Sequence, residues 1–251
     1  MYIENISPFI IEIGPVAIRW YGLMFAISVL VGFYYMRKHG VKSGYSEDFI
    51  FYFLIILVVA IIIGARVVFV VVNWSFFMDN PELIIRVDRG GLAFHGGLLG
   101  GIISSWLYCH FKKTNWHVLA DLAVPGGALG IALVRIANIF NQEILGREAA
   151  LFAFERHPTQ IYGSLIGITL LIVHNYLARR KNLKPGYLFW SFVLGYTLLR
   201  AFIEETFREN PLVAWGYISE AWGAGFFTTV HLFTPFIIAL SLYMLRAIKN
   251  S

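Results

Sequence analysis

Seven apolar runs constrain this chain more than any other feature. They lie at about 15–36, 49–72, 92–111, 118–140, 159–178, 186–204 and 226–245. Each is close to the roughly 20 residues that cross a bilayer as a helix. The segments between them are too short to fold as a separate soluble domain. The sequence therefore predicts an all-α polytopic membrane protein, with seven transmembrane helices in one domain over residues 1–251 and short outer loops. Only 14% of the residues are charged, where soluble domains have about 25%. Pro125-Gly126-Gly127 falls inside the fourth run and predicts a kink or break, which neighbouring helices can cover.

The loops set an orientation. Arg37, Lys38, Lys42, Lys112, Lys113, Arg179, Arg180, Lys181, Lys184, Arg246 and Lys249 fall on one side of the seven runs. The excess of Lys and Arg makes that side cytoplasmic, with the N-terminus outside and the C-terminus inside. The other side holds most of the acids: Glu4, Glu12, Asp79, Glu82, Asp88, Glu148, Glu155, Glu209 and Glu220. The net charge of +5 comes from loop residues, so no nucleic-acid partner is expected. The first twenty residues have neither a basic stretch nor a small-residue cleavage site, and no cleaved signal peptide is expected. Cys109 is the single cysteine. It excludes an intrachain disulfide and any CxxC metal pattern, and it reads as a small apolar residue.

The polar residues inside the runs are one-sided. At about 1.5 Å per helical residue, Arg66 and Arg135 lie roughly 26 Å from the inner face and Arg200 roughly 21 Å. His95, Tyr21, His157, Gln160 and Tyr162 fall in the same outer half, while Asp121 sits near the inner face. An arginine in a bilayer costs about 2.5–3.5 kcal/mol on insertion scales, so it needs a carboxylate, a cavity or an anionic ligand. The densest stretch is Arg135–Gly146, RIANIFNQEILG, which suits a phosphorylated lipid headgroup. Arg135, Asn138 and Gln142 share one helix face, and Tyr196, Arg200 and Glu204 at i, i+4 and i+8 share another. Glu143 and Glu204 are predicted to hold arginines when no anion is bound, and the planar guanidinium fork suits phosphate. Each assignment has a plainer counterpart. Arg66 can be a snorkelling anchor, Tyr21 an interfacial aromatic, and Gly100 with Gly101 a close helix contact.

In this setting RIANIFNQE at 135–143, RWYGLMF at 19–25, GGLAFHGGL at 90–98, RHPTQIY at 156–162 and GYTLLRAFIE at 195–204 resemble, in order, the blocks of the bacterial prolipoprotein diacylglyceryl transferases. The resemblance covers nearly the whole chain. Val134 stands where that family usually has Gly, and Gly163 where it often has Glu; the segment between Glu143 and His157 is short.

The resemblance implies a seven-spanning enzyme of the bacterial cytoplasmic membrane with its site toward the outer leaflet. Such enzymes move diacylglyceryl from phosphatidylglycerol to the lipobox cysteine of a preprolipoprotein signal peptide, as a thioether, and release glycerol phosphate. Catalytic roles are expected for His95, Arg135, Arg200 and Tyr21, with His95 as the candidate base for the thiol and arginine-assisted thiolate formation as its rival. Headgroup contacts are expected from Arg135, Asn138, Arg200, Glu143, Glu204, Tyr196, Arg66 and Gly146. Glu204 is expected to hold Arg200. No metal or cofactor is called for. The alternatives are a diverged lipid-binding protein or flippase, which one-sided polarity disfavours, and an intramembrane hydrolase, for which HExxH and GxSxG are missing.

Overall fold

The computed structural model describes residues 6–13, 16–87, 90–150 and 155–250. Glu4 and Asp88, two of the outer acids above, lie outside the described residues. The elements run β1 (Phe9–Ile13), β2 (Val16–Arg19), α1 (Trp20–Lys42), α2 (Glu47–Val72), α3 (Trp74–Asp79), a 3-10 turn (Pro81–Leu83), α4 (Phe94–Phe111), α5 (Trp116–Phe140), α6 (Thr159–Leu177) and α7 (Tyr187–Leu199). A π turn (Arg200–Glu205), β3 (Leu212–Ser219), β4 (Ala224–Thr228) and α8 (Thr229–Asn250) complete the chain. The protein is mostly helical, and a helix covers the greater part of each predicted apolar run. Among the described residues four of these helices (α2, α5, α6 and α8) are long and apolar enough to cross a membrane. Along α2, Ile55, Val59, Ile63, Val67 and Val71 stay exposed, a surface suited to hydrocarbon rather than water.

Two features depart from the all-α expectation. Phe9–Ile13 pairs antiparallel with Val16–Arg19, and Leu212–Ser219 with Ala224–Thr228, as the hairpins β1–β2 and β3–β4. The sequence conceals the first because Val16–Arg19 is apolar and merges with the run that follows. The predicted break at Pro125 is absent: α5 continues through it. Gly126 packs there against Gly32 of α1, where an added Cβ would stand 2.9 Å from the Gly32 Cα.

The chain divides into two compact units, residues 1–35 with 120–251, and residues 36–119. In the second unit α2 and α4 pack through small residues. Gly96 meets the Gly64 carbonyl and Gly100 the Ala60 carbonyl, each with no room for a Cβ, as expected of the glycine run. Ser46 caps α2, its side chain accepting from the Phe49 N–H.

In the first unit Ala128, Ile166 and Leu170 form a core covered by Phe192, Tyr196 and Leu199. Asp121 of α5 accepts from the backbone N–H of Gly186 and of Phe189, both at 2.7 Å. These are orphan donors at the start of α7, where a carboxylate also suits the helix dipole. Asp121→Ala is expected to cost about 1 kcal/mol, read as a lower melting temperature in detergent. At the end of α6 remote from His157, buried His174 bonds the hydroxyl of half-buried Tyr35 at 3.2 Å, a polar pair that nothing in the sequence marks.

Candidate active site

Arg135 sits one turn before the end of α5, and its guanidinium meets Glu204 of the π turn. Nη2 lies 2.7 Å from one carboxylate oxygen and Nε 3.3 Å from the other. Glu204 is completely buried, whereas 12% of the Arg135 side chain remains exposed. The carboxylate was expected on Arg200, four residues back. The π turn widens the spacing from i+4 to i+5, and Glu204 faces α5 instead.

Arg200 stacks over the Tyr196 ring, 5.8 Å from its centroid, and the charges of Glu204 and Glu205 act on it. Its Nε is buried without a hydrogen-bond partner among the described residues. Glu205, fully buried, accepts from Asn210 Nδ2 at 2.6 Å with one oxygen. Arg208 completes the group, under the charges of Glu205, Arg135, Glu204 and Arg200. Burial pushes its guanidinium below the ordinary arginine value, and Glu205 opposes that shift. Arg135, Arg200 and Arg208 thus all feel the charge of Glu204, and the last two that of Glu205 as well. Asn138, one turn on from Arg135, is 2% exposed, and its Oδ1 has no hydrogen-bond partner among the described residues.

The segment after α5 is held in a strained shape. Gln142 and Ile144 have φ of 55° and 58°, a region that costs a β-branched residue such as Ile144 on the order of 1–3 kcal/mol. The first turn of α6 holds it there. Thr159 Oγ1 donates to the Ile144 carbonyl at 2.6 Å, and Gln160 Nε2 to the Glu143 carbonyl at 2.9 Å. Both side chains are fully buried. Glu143 is left exposed, and its charge reaches Tyr21, as does that of Arg135. Trp20 stacks on Phe140 at 4.5 Å and keeps the start of α1 beside this segment.

Gly146 bridges Arg208 in an antiparallel pairing, fixed by Arg147 N–H to the Phe207 carbonyl at 2.8 Å and Glu209 N–H to the Leu145 carbonyl at 2.9 Å. It also lies against the His157 carbonyl, where a Cβ has no room. His157 Nε2 donates to the Trp222 carbonyl at 2.8 Å, its Nδ1 bonds the Tyr162 hydroxyl at 3.1 Å, and its ring packs on Phe207 at 4.4 Å. Arg156 bonds Glu209, Glu148 and the Gly146 carbonyl. The Glu209 hydrogen bond, first among its influences, raises its basicity.

Tyr21, Arg135, Asn138, Glu143, Gly146, Tyr196, Arg200 and Glu204 all belong to the first unit. His95 and Arg66 belong to the second. His95 is exposed in the first turn of α4 and meets the edge of Phe94. Arg66 is buried, and four of its five N–H bonds go to the carbonyls of Leu83, Ile84, Gly90 and Gly91. Its guanidinium also stacks on Phe69 and Phe77. This is a clamp on the backbone at residues 83–84 and 90–91. It is neither a solvent anchor nor the open phosphate fork the sequence suggested.

The family model of prolipoprotein diacylglyceryl transferase matches residues 8–245. The chain belongs to the prolipoprotein diacylglyceryl transferase family. It is 45% identical over 251 residues to a phosphatidylglycerol–prolipoprotein diacylglyceryl transferase of Thermoanaerobacter sp. (strain X514), covering 100% of this chain and 97% of that protein. A relative of the same description from Rickettsia rickettsii is 37% identical (88% and 90% covered), and one from Thermus thermophilus 33% (94% and 96%). The protein is a membrane transferase of lipoprotein biosynthesis. In this transferase the sequence reading missed Glu205 and Arg208. Two adjacent acids and an arginine closing an apolar run were the available signal, but an outer loop accounts for such charges equally well.

Proposed function

We propose that this enzyme transfers the diacylglyceryl group of phosphatidylglycerol to the lipobox cysteine of preprolipoproteins. It does so as a seven-span protein of the bacterial cytoplasmic membrane, N-terminus outside and site toward the outer leaflet. The two compact units then belong to one membrane domain. Above all, the proposal rests on the concentration of Arg135, Arg200 and Arg208 around two carboxylates, next to the Asn138 Oδ1, which is buried without a hydrogen-bond partner among the described residues.

The thiol of the acceptor cysteine reacts as thiolate, and His95, proposed from its sequence block and not from a placement beside the arginines, is the base that takes its proton. The sulfur attacks the glyceryl carbon that carries the phosphate ester. A carbon–sulfur bond forms, the carbon–oxygen bond breaks, and the electron pair leaves on the phosphate oxygen of glycerol phosphate. Arg135 and Arg200 meet that growing charge with fixed donors. Glu204 faces the Nε and Nη2 edge of Arg135, so Nη1 is the edge offered to phosphate. Asn138 and Tyr196 orient the headgroup, Glu143 and Tyr21 contact headgroup or acceptor, and Gly146 lets the strained segment pass close to His157. Arg66 supports the fold.

The test is transfer in detergent from phosphatidylglycerol to a lipobox peptide, followed as peptide mass and released glycerol phosphate. A diacylglyceryl gain on the cysteine, absent from a Cys→Ser peptide, is expected. A folded preparation that gives no gain refutes the reaction. In the same assay His95→Asn is expected to lose activity at neutral pH and recover part of it at high pH. Unchanged activity at both refutes the base role.

A further inference from the structure

A buried glycine in the middle of a transmembrane helix needs a reason, because alanine is the better helix former. Gly163 and Gly167 lie one turn apart on α6, both buried and both turned toward α5. Gly167 has an ordinary reason: its Cβ would strike the α5 backbone at Ala128 and Ala132, which is close helix packing. Gly163 has a different neighbour. Its added Cβ would stand 2.6 Å from Nε, 2.7 Å from Cδ and 2.8 Å from Cγ of Arg135. These atoms are the middle of the side chain, fixed at one end by α5 and at the other by Glu204. They cannot step aside as a free tip would.

We infer that Gly163 is a positioning residue for the transfer reaction: it is the floor on which the Arg135 stem lies, and it aims the guanidinium at Glu204 and at the anion. The inference rests on the proposed role of Arg135 as a phosphate donor. In this chain a Cβ at 163 would displace the stem as it lies here, and with it the fit of the guanidinium to Glu204. No contact between Gly163 and substrate is needed.

The experiment is Gly163→Ala in the phosphatidylglycerol and lipobox-peptide assay, with Gly127→Ala as control. A Cβ at Gly127 of α5 makes only ordinary contact with Phe192. Gly163→Ala is expected to lower kcat by about 10²-fold, the cost of misplacing a catalytic group by about 1 Å, while the control keeps wild-type rates. The loss should not add to that of Glu204→Gln, because both act on one guanidinium. Wild-type kcat in folded Gly163→Ala, or strictly additive losses, overturns the inference. A Gly163→Ala protein that does not accumulate is resolved by adding Arg135→Ala. Restored accumulation assigns the clash to the Arg135 stem and supports the inference; continued failure assigns it to helix packing and overturns it. Full activity of Arg135→Ala alone is a separate failure, that of the phosphate-donor role itself.

Discussion

Arg135→Ala is expected to reduce transfer from phosphatidylglycerol by about 10³-fold, the upper range for losing one fixed donor to a developing oxyanion. The measurement is single-turnover formation of diacylglyceryl peptide, with expression level and melting temperature recorded alongside. Removing the side chain also leaves buried Glu204 without its cation, so a damaged fold would contribute to the loss. Arg135→Lys separates the two effects. Lysine keeps the charge next to Glu204 but presents a point charge in place of a fork. It is expected to melt close to wild type and still lose about 10²-fold, since a guanidinium can hold Glu204 through Nε and Nη2 while Nη1 donates to phosphate, and an ammonium has no such fixed second edge. A lysine variant with wild-type rates would assign Arg135 a charge-balancing role only, and the donor role would pass to Arg200 and Arg208.

How much of the site is legible in the sequence depends on where each residue's partners come from. Arg135, Arg200, Tyr196 and Glu204 can be found because a charged residue in an apolar run announces itself, and helical spacing groups its neighbours. The pairing is misread for one local reason: the π turn at Arg200–Glu205 moves Glu204 from its own helix face to α5. Nothing in RAFIEE distinguishes that turn from α-helix. Arg66 fails differently. Its partners are backbone carbonyls of residues 83–84 and 90–91, and carbonyls carry no sequence signal. The hairpins are hidden because their strands are as apolar as the helices they adjoin. The close packing of α2 on α4 is legible, because a run of glycines has few other uses in a membrane helix. Gly163 is visible only as a departure from the family pattern. Its neighbour gives that departure meaning, since a glutamate at 163 could not share space with the Arg135 stem as it lies here.

Glu204→Ala is the substitution expected to cost the most stability. Truncating one partner of a buried ion pair leaves the other charge uncompensated, at about 3–5 kcal/mol, and here the deleted partner is fully buried. Detergent-solubilised protein should show this as a large drop in melting temperature. Glu204→Gln, which keeps the shape and one acceptor, should fall by much less. The pair is asymmetric: the acid is sealed and the cation is 12% exposed. A pair built for stability alone would gain nothing from leaving its arginine partly open. With the acid fixed inside, Arg135 is held at its post before lipid arrives and still has an edge to offer. The double variant Glu204→Ala with Arg135→Ala tests this. If the cost of Glu204→Ala is the stranded Arg135 charge, removing that charge should restore part of the melting temperature while transfer stays lost. If the double variant is no more stable than Glu204→Ala, the cost belongs to the cavity left by the side chain, and the counter-ion role is rejected.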